Sequence, residues 1–250
     1  MIFERYITSE IKNDAYRAIY EMIKDTDKGI SYADMMRLRI SGAVSKECHD
    51  VYYVAYEKDV AIARHWNGWG KHRDAIGNWG NFFVNERYRG QGIGGKLLGF
   101  WWEDFSSYEE RPLCFLCSAA TKELTDLYSR FGFRPAIKGT DHGPLYMPIG
   151  NSPDSFDDFL ESYYRESSVL IHKPASAEYR HEIDCLLRFA FYNRGESFEI
   201  DGISSFEEAL LTYPTRTGIL FSEDLHAVGW SFDGKIQVHP LYSTLVVKEL

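Results

Sequence analysis

The sequence lacks the long apolar runs and the leader that would place it in or across a membrane. No uninterrupted apolar stretch approaches the ~20 residues that a membrane-spanning helix requires. The opening segment MIFERYITSE carries charges at Glu4 and Arg5 and contains no apolar core, so it does not predict a signal peptide. We therefore expect a protein of the reducing cytoplasm, without a membrane partner.

An excess of positive charge is also missing. The formal net charge is −9 at pH 7, and the sequence pI is about 5.4. Proteins that bind nucleic acid generally carry the opposite balance, because phosphate contacts need lysine and arginine. No nucleic-acid partner is expected, and the acidic surface suits either a cationic small molecule or simply a soluble protein.

The cysteines do not form a metal-binding pattern. There are four of them, scattered along the chain. Cys114 and Cys117 lie in PLCFLCSA, a segment that predicts a buried strand. Residues three apart in a strand face opposite sides, so this pair is a poor chelate. We predict that the protein holds no metal.

The residues that are present predict a globular α+β protein. The chain has 250 residues, of which 44% are hydrophobic and 16% aromatic, enough for one large domain or two of ordinary size. To residue 150 the hydrophobic pattern predicts the order β-α-α-β-β-β-α-β-α-β. Two helices are expected over residues 10–24 and 31–44, the second with Ser31 as its cap and Asp34 three residues on.

The middle of this half changes to strand periodicity. Two β-rich runs flank the polar turn Glu57-Lys58-Asp59, which predicts a hairpin. Residues 67–78, NGWGKHRDAIGN, are glycine-rich and polar and predict a loop. The next strand, WGNFFVNE, leads directly into a run of glycines.

The glycines are the most informative feature. Gly90, Gly92, Gly94 and Gly95 follow Arg89 and precede an apolar helical pattern, which comprises Ile93, Leu97, Leu98, Trp101, Trp102 and Phe105. Glycine lets backbone N–H groups approach a ligand, and a helix start leaves those groups unpaired in the positive end of the helix dipole. A phosphate cradle is therefore predicted. The alternative is a tight strand-to-helix turn that binds nothing.

Other phosphate motifs fit less well. Gly90, Gly92 and Gly95 match G-x-G-x-x-G formally, but a dinucleotide-binding unit should open its domain with a strand and carry an acid about 20 residues further on. A Walker motif needs Ser or Thr after its lysine, and Lys96 is followed by leucine. A nucleotide-binding oxidoreductase remains a third, weaker interpretation.

The segment Arg89-Gly90-Gln91-Gly92-Ile93-Gly94 resembles the [QR]-x-x-G-x-[GA] pyrophosphate loop of the GNAT acyltransferase superfamily. The flanking FFVNERYRGQGIGGKLL is similar to the strand, loop and helix of that family, although Glu86 stands where proline is common. Downstream, LYSRFGFRP resembles the family's FYEKLGF-type segment. The resemblance covers about residues 1–149 and implies the α+β GNAT fold, a mixed and mostly antiparallel sheet flanked by helices.

The resemblance also implies the chemistry. Acetyl-coenzyme A would be the donor, and a primary amine of a small molecule or of a protein would be the acceptor. The N–H groups of Gln91, Gly92, Gly94 and Gly95 would hold the pyrophosphate, and the strand before the loop would pair with the pantetheine. The implied coenzyme-binding set is Phe82, Phe83, Val84, Arg89, Gly90, Gln91, Gly92, Ile93, Gly94 and Gly95.

The implied catalytic residue is Tyr128, which matches the position of the family's general acid; the alternative is a packed aromatic without a chemical role. Thr121 stands where the family often has a coenzyme-contacting asparagine, so that contact is in doubt. No motif identifies the general base. Asp74 and Glu86 are the candidates, and the alternative for each is a solvated surface acid.

An aromatic and histidine-rich stretch would then lie near the acceptor. His65, Trp66, Trp69 and His72 are unusually dense there. They either rim the acceptor side, where tryptophans can bind a cation, or cover the end of the core.

A composition shift near residue 150 predicts a domain boundary, with a GNAT domain over 1–150 and an α+β region over 151–250. Ile2 precedes Val51 by 49 positions, and Val169 precedes Ile219 by 50. This similarity predicts a truncated second GNAT-like unit in about 165–250. The alternative is an unrelated appendage that caps the first domain or forms a homodimer interface. The rival to an active enzyme is a coenzyme-A-binding sensor or partner-binding protein that has lost catalysis.

Overall fold

The computed structural model describes residues 1–24, 36–37 and 39–249. The chain forms two compact units. Unit 1 comprises Met1–Lys71 and Asn78–Arg111, and unit 2 comprises His72–Gly77 and Pro112–Leu250. Of the helix predicted over 31–44, residues 31–35, with Ser31 and Asp34, and residue 38 lie outside the described residues, whereas residues 36–37 and 39–41 are helical.

Unit 1 contains a sheet in the order β1-β2-β3-β4, and helices α1 and α2 pack on it. Helix α1 is amphipathic and buries Ala15, Ile19 and Ile23, so the predicted helix is confirmed with a slightly different inner face. The elements are β1 Ile2–Ile7, α1 Asn13–Lys24, β2 Cys48–Glu57, β3 Val60–Gly70, β4 Ile76–Val84 and α2 Ile93–Ser106. Only the last seven residues of β4 belong to this unit.

The predicted hairpin joins β2 and β3. Glu57 pairs with Val60, and the two turn residues, Lys58 and Asp59, have φ angles of 49° and 66°. Two positive φ angles make the turn whose twist matches antiparallel strands. The hairpin prediction is confirmed.

The loop predicted over residues 67–78 is present but shorter, and it comprises residues 71–75. Strand β3 continues to Gly70, and β4 begins at Ile76. A glycine at position 68 is needed for packing, because a Cβ there would lie 2.5 Å from Asp50 Oδ1. The glycine-rich composition therefore reflects a crowded strand and not a turn.

Helix α2 packs against β2 and β3 through its aromatic side chains. The Trp101 ring lies 5.3 Å from the His65 ring, and Phe105 lies 6.1 Å from Trp69. The predicted apolar face is confirmed except at Trp102, which is 41% exposed.

Unit 2 is an α+β assembly with a shared apolar core. Strands β5, β7 and β6 lie side by side in that order, and a five-stranded sheet has the order β11-β10-β9-β8-β12. The elements are β5 Cys114–Ala119, α3 Lys122–Ser129, β6 Arg134–Pro135, β7 Gly143–Pro148, α4 Phe156–Tyr163, β8 Leu170–Pro174, a π-helical segment Glu182–Leu187, α5 Arg188–Asn193, α6 Phe206–Thr212, β9 Thr217–Phe221, β10 Ala227–Phe232, β11 Lys235–Val238 and β12 Val247–Glu249.

The compact units do not divide where the composition shifts. Residues 112–148 belong to the predicted N-terminal domain, but they cluster with the C-terminal residues. Leu116 and Tyr146, for example, share a core with Trp230. The domain boundary near residue 150 remains a prediction.

The five-stranded sheet repeats the strand order of unit 1. Strands β8, β9, β10 and β11 are antiparallel neighbours, and the helices of this segment lie between β8 and β9 in the chain. The turn at Asp233-Gly234, with φ angles of 50° and 77°, is the predicted hairpin. Strand β12, parallel to β8, was not predicted. The second GNAT-like unit remains a prediction.

The described residues were searched for membrane-spanning helices and for metal-binding groups. None of their helices combines the length and the apolar character that crossing a bilayer requires. No group of three or more His, Cys, Asp or Glu side chains among them could hold a metal ion.

Candidate active site

The candidate site is built around the connection from β4 to α2. The chain leaves β4 at Val84 and makes one tight turn over Glu86–Tyr88, capped by the Asn85 side chain, which accepts a bond of 3.2 Å from the Arg87 N–H. It then passes through the glycines and enters α2 at Ile93. The loop is exposed to solvent on the side of Gly90, Gln91 and Gly92.

Two of the glycines are required by the backbone itself. Gly90 and Gly92 have φ angles of 76° and 74°, a region that favours glycine, and Gly92 is the N-cap of α2. A Cβ on Gly90, Gly92 or Gly95 would meet no described atom within 4 Å. The loop therefore has open space in front of its backbone, as a phosphate cradle needs.

Gly94 has a different role from its neighbours. A Cβ at this position would lie 2.8 Å from Phe82 Cζ of β4. The absence of a side chain at Gly94 thus allows the first turn of α2 to pack closely on the strand. This packing explains the glycine without any ligand.

The start of α2 provides N–H groups for an anion. The first helical hydrogen bond runs from Lys96 N to Gly92 O at 3.1 Å, so helix geometry gives the N–H groups of Ile93, Gly94 and Gly95 no acceptor within the helix. The helix dipole adds positive potential at this end. The arrangement suits a pyrophosphate group chemically.

Side chains hold the loop in shape. Arg89 Nε donates to the Val84 carbonyl at 3.0 Å, and Gln91 Nε2 donates to the Arg87 carbonyl at 3.1 Å. Arg89 Nη1 also lies 3.5 Å from a carboxylate oxygen of Glu86. Arg89 therefore links the end of β4 to the loop and keeps a cation beside the glycines.

Strand β4 is irregular shortly before the loop, and sequence reasoning missed this feature. Asn81 has a φ of 51° within the strand. Its amide oxygen accepts from Arg64 Nε at 2.9 Å, and the carbonyl of Gly80 bonds His65 Nδ1 at 3.1 Å. Phe83 lies under the Arg64 guanidinium, 4.8 Å away. The Gly80-Asn81 pair inside a strand pattern is the signal that could have located it.

His65 is a neutral imidazole in this arrangement. Burial lowers its pKa to about 3, despite the bond to Gly80. Because a carbonyl can only accept, Nδ1 must carry the proton. His65 therefore fixes the backbone of β4, and burial makes its ring a poor general base.

Tyr128 lies in unit 2, on α3, and is 4% exposed. Burial, with a smaller effect of Cys117, raises the pKa of the phenol above its ordinary value. The phenol is therefore protonated at neutral pH and can donate a hydrogen bond. The Thr121 hydroxyl, 3.4 Å from Leu124 N, caps the same helix.

The two carboxylates considered as bases are both accessible. Asp74, in the turn before β4, lies 3.6 Å from Arg73 Nε and its side chain is 43% exposed. The Glu86 side chain is 82% exposed. Both are as expected for surface acids, and the base role of either remains a prediction.

The aromatic stretch lies mainly in the core. Trp66 and Trp69 are 1% and 2% exposed and belong to β3. Of the two interpretations of this stretch, the structure supports the one in which both tryptophans cover the core. Their burial contradicts a place on the rim of the acceptor site. His72 is in the turn and stacks on Tyr179 within unit 2, with 4.3 Å between the ring centres.

One segment of the chain, which includes the glycine loop, matches a known family. Residues 48–135 match a family model described as an acetyltransferase (GNAT) domain. The GNAT match covers 88 of the 250 residues. The match runs from the start of β2 through the glycine loop and α3, so it includes both Gly92 and Tyr128. The predicted GNAT fold is confirmed.

The chain is also similar to several solved structures. Escherichia coli ElaA is 15% identical, with a TM-score of 0.41, covering 59% of this chain and 99% of its own. Escherichia coli YhbS, a GNAT family N-acetyltransferase in complex with CoA, is 18% identical with a TM-score of 0.43, covering 60% and 82%. An acyl-CoA N-acyltransferase from Pseudomonas aeruginosa is 12% identical with a TM-score of 0.43, covering 58% and 98%.

Similarities this low carry nothing about substrate or activity over to this chain. No curated protein matches it in sequence. Evidence on the acceptor and the catalytic residues therefore comes from the residues of this chain.

Proposed function

We propose that the protein transfers the acetyl group of acetyl-coenzyme A to a primary amine of a small molecule or a protein. The observation that carries the proposal is the loop at the start of α2, where Gly90 and Gly92 adopt left-handed φ angles in front of open space. That geometry lies inside the segment that matches the GNAT family model.

The loop would bind the donor by its pyrophosphate. The N–H groups of Gln91, Gly92, Gly94 and Gly95 would donate to the phosphate oxygens, supported by the dipole of α2. Arg89 would add a cation beside them. Residues 82–84 of β4 would pair with the pantetheine in the manner of an added strand.

The chemistry would be direct attack. The neutral amine nitrogen attacks the thioester carbonyl carbon, the carbon–sulfur bond breaks, and an amide forms while the nitrogen loses a proton to a base or to water. A primary amine has a pKa near ~10.4, so this proton must be accepted somewhere. The sulfur leaves as a thiolate and needs a proton or a hydrogen bond.

Tyr128 is proposed as the donor to that sulfur. Its raised pKa keeps it protonated, which suits a hydrogen-bond donor. A thiol of pKa ~8.5 is a stronger acid than this phenol, so full proton transfer to the thiolate would be uphill. We therefore propose that Tyr128 stabilises the developing thiolate mainly through its hydrogen bond.

A coenzyme-A-binding protein without catalysis is the second candidate. The exposed positions of Asp74 and Glu86 favour it, because neither carboxylate has the desolvated surroundings that tune a general base. In this case the loop would bind coenzyme A, but no amine would be acetylated.

A thiol-release assay over a panel of amines, together with calorimetry of acetyl-coenzyme A binding, separates the candidates. Turnover with any amine supports the enzyme, whereas binding without turnover supports the sensor. A rise in melting temperature with NAD or NADP, and none with coenzyme A, would favour the oxidoreductase and contradict both.

Gly92→Val tests the loop. The substitution places a Cβ in the open space and imposes a φ angle that valine avoids, so coenzyme A should no longer raise the melting temperature. Gly139→Val is the matched control, because Gly139 also has a positive φ, of 81°, and open space around it. A folded Gly92→Val protein that binds like wild type would contradict the loop assignment.

A further inference from the structure

Unit 2 contains a cavity that the acetyl-transfer proposal does not use. It is an open hollow of about 1140 Å³ on one face of the five-stranded sheet, at the end where β9 begins and β10 ends. Ligand sites in proteins have volumes of ~300–1,000 Å³, so a small molecule fits with room to spare.

The floor of the hollow is built from three neighbouring strands. His172 on β8 bonds Ser231 on β10 across Gly218 of the intervening β9, with 2.8 Å between Nε2 and Oγ. A Cβ on Gly218 would lie 2.7 Å from Ser231 Oγ and closer still to the imidazole. The glycine therefore makes room for a polar pair, of which Ser231 is only 4% exposed.

The rim holds a guanidinium in a fixed position. Arg216 donates through Nε, at 2.6 Å, and through Nη2 to the two carboxylate oxygens of Asp233. The same guanidinium lies over the rings of Tyr213 and Phe232, at 4.9 and 4.8 Å. Held by four contacts, it needs little further ordering to bind a ligand.

One nitrogen of the Arg216 guanidinium is left over for a ligand. Within the described part of the chain, the Nη1 group of Arg216 donates to no residue, while both oxygens of Asp233, the acid of the lining, are engaged by Arg216. The Ser231 hydroxyl can donate to a ligand when His172 Nε2 carries the proton of the bond between them. An anionic oxygen ligand satisfies such a set of groups, because guanidinium N–H groups match a carboxylate geometrically.

The walls are apolar. Ile236, Val247, Pro174 and Pro214 line the hollow, and Ile236 is 46% exposed. An exposed branched aliphatic side chain beside a charged rim suits a ligand with an apolar body and a polar end.

We propose that this hollow binds a small carboxylic acid with an aliphatic chain. The carboxylate accepts from Arg216 Nη1 and from the hydroxyl of Ser231, and the chain lies along Ile236 and Val247. The site is independent of the glycine loop, and it gives the C-terminal region a binding role of its own.

Calorimetry of the full-length protein with butanoate, hexanoate and octanoate tests the proposal. Affinity should rise by at most about four-fold for each methylene that is buried. Arg216→Gln should weaken octanoate binding by about 10- to 100-fold, the effect of losing a hydrogen bond to a charged group. Ser231→Ala should weaken it as well.

Lys235→Gln is the matched control. Lys235 is an ion-paired cation on β11 that does not line the hollow, so its removal should leave octanoate binding unchanged. If Arg216→Gln does not fold, Ile236→Asp replaces it, because the Ile236 side chain is exposed and a carboxylate at this position in the wall repels the anionic ligand.

Three results would overturn the proposal. Octanoate could fail to bind saturably, 1-octanol could bind as tightly as octanoate, or Arg216→Gln, Ser231→Ala and Ile236→Asp could all bind like Lys235→Gln. Displacement of octanoate by acetyl-coenzyme A in the wild type, but not in Gly92→Val, would place the acid in the coenzyme site and would also contradict the proposal.

Discussion

Replacing Gly95 by alanine should move stability and coenzyme binding in opposite directions. Gly95 lies in the first turn of α2, with an ordinary helical φ angle and no described atom within 4 Å of an added Cβ. Alanine in a helix is favoured over glycine by roughly 0.5–1 kcal/mol. For a chain of this size the melting temperature should rise by about 1–4 °C.

The affinity for coenzyme A should fall because of the same added methyl group. The new methyl group would occupy the open space in front of the N–H groups, where the pyrophosphate is proposed to lie. Loss of one hydrogen bond to a charged group, about 1.5–3 kcal/mol, corresponds to about 10- to 100-fold in affinity for coenzyme A. Thermal unfolding and calorimetry on the same protein measure both effects.

Gly99→Ala is the matched control for this experiment. Gly99 lies one turn further along α2, and an added Cβ again meets no described atom within 4 Å. It should give the same gain in stability without a change in affinity. If Gly95→Ala binds coenzyme A as tightly as Gly99→Ala, the N–H group of Gly95 is not part of the cradle and the assignment of the loop is wrong there.

Tyr128→Phe should keep coenzyme A affinity and lower kcat by up to ~10²–10⁴-fold; an unchanged rate at saturating amine removes Tyr128 from the mechanism. Burial lowers the pKa of His72, but the hydrogen bond and charge of Glu182 outweigh it, so the folded pKa is raised above 6.5. The His72–Glu182 pair therefore stabilises the protein below pH ~6.5, and its contribution is lost as pH rises through the folded pKa. The melting-temperature difference between wild type and His72→Gln should shrink from pH 6 to pH 9, and a constant difference contradicts this. Titration calorimetry should give one acetyl-coenzyme A site per chain, abolished by Gly92→Val, and two sites would refute the restriction of binding to the loop.

Much of the candidate site could be predicted from sequence because its signals are local. A glycine with a left-handed φ angle, a helix start and an apolar helical period all fall within about 20 consecutive residues. The same holds for the hairpin turns at Lys58-Asp59 and Asp233-Gly234. In each case the conformation of the backbone is decided by the residues that adopt it.

The sequence near each glycine does not show why that position requires glycine. Gly90 and Gly92 are needed for their φ angles, but Gly94 is needed because Phe82 lies against it. Gly68 is needed because Asp50 approaches it from the neighbouring strand. The sequence shows the same residue in all four places, and only the packing distinguishes a ligand-facing glycine from a crowded one.

Tertiary structure alone decided the contacts between residues far apart in the chain. Glu182 accepts a hydrogen bond of 2.7 Å from the Ile76 N–H, 106 positions away, and also lies 3.1 Å from the His72 ring. His172 and Ser231 meet across Gly218 in the same manner, 59 positions apart. Such pairs cannot be found from the hydrophobic periodicity of the sequence. The periodicity shows which face of a helix or strand is buried, but it does not show which residue of another element packs against that face. The sequence by itself determined the loop, the helices and most strands, whereas the partners of the buried polar groups depended on the packing of the whole chain.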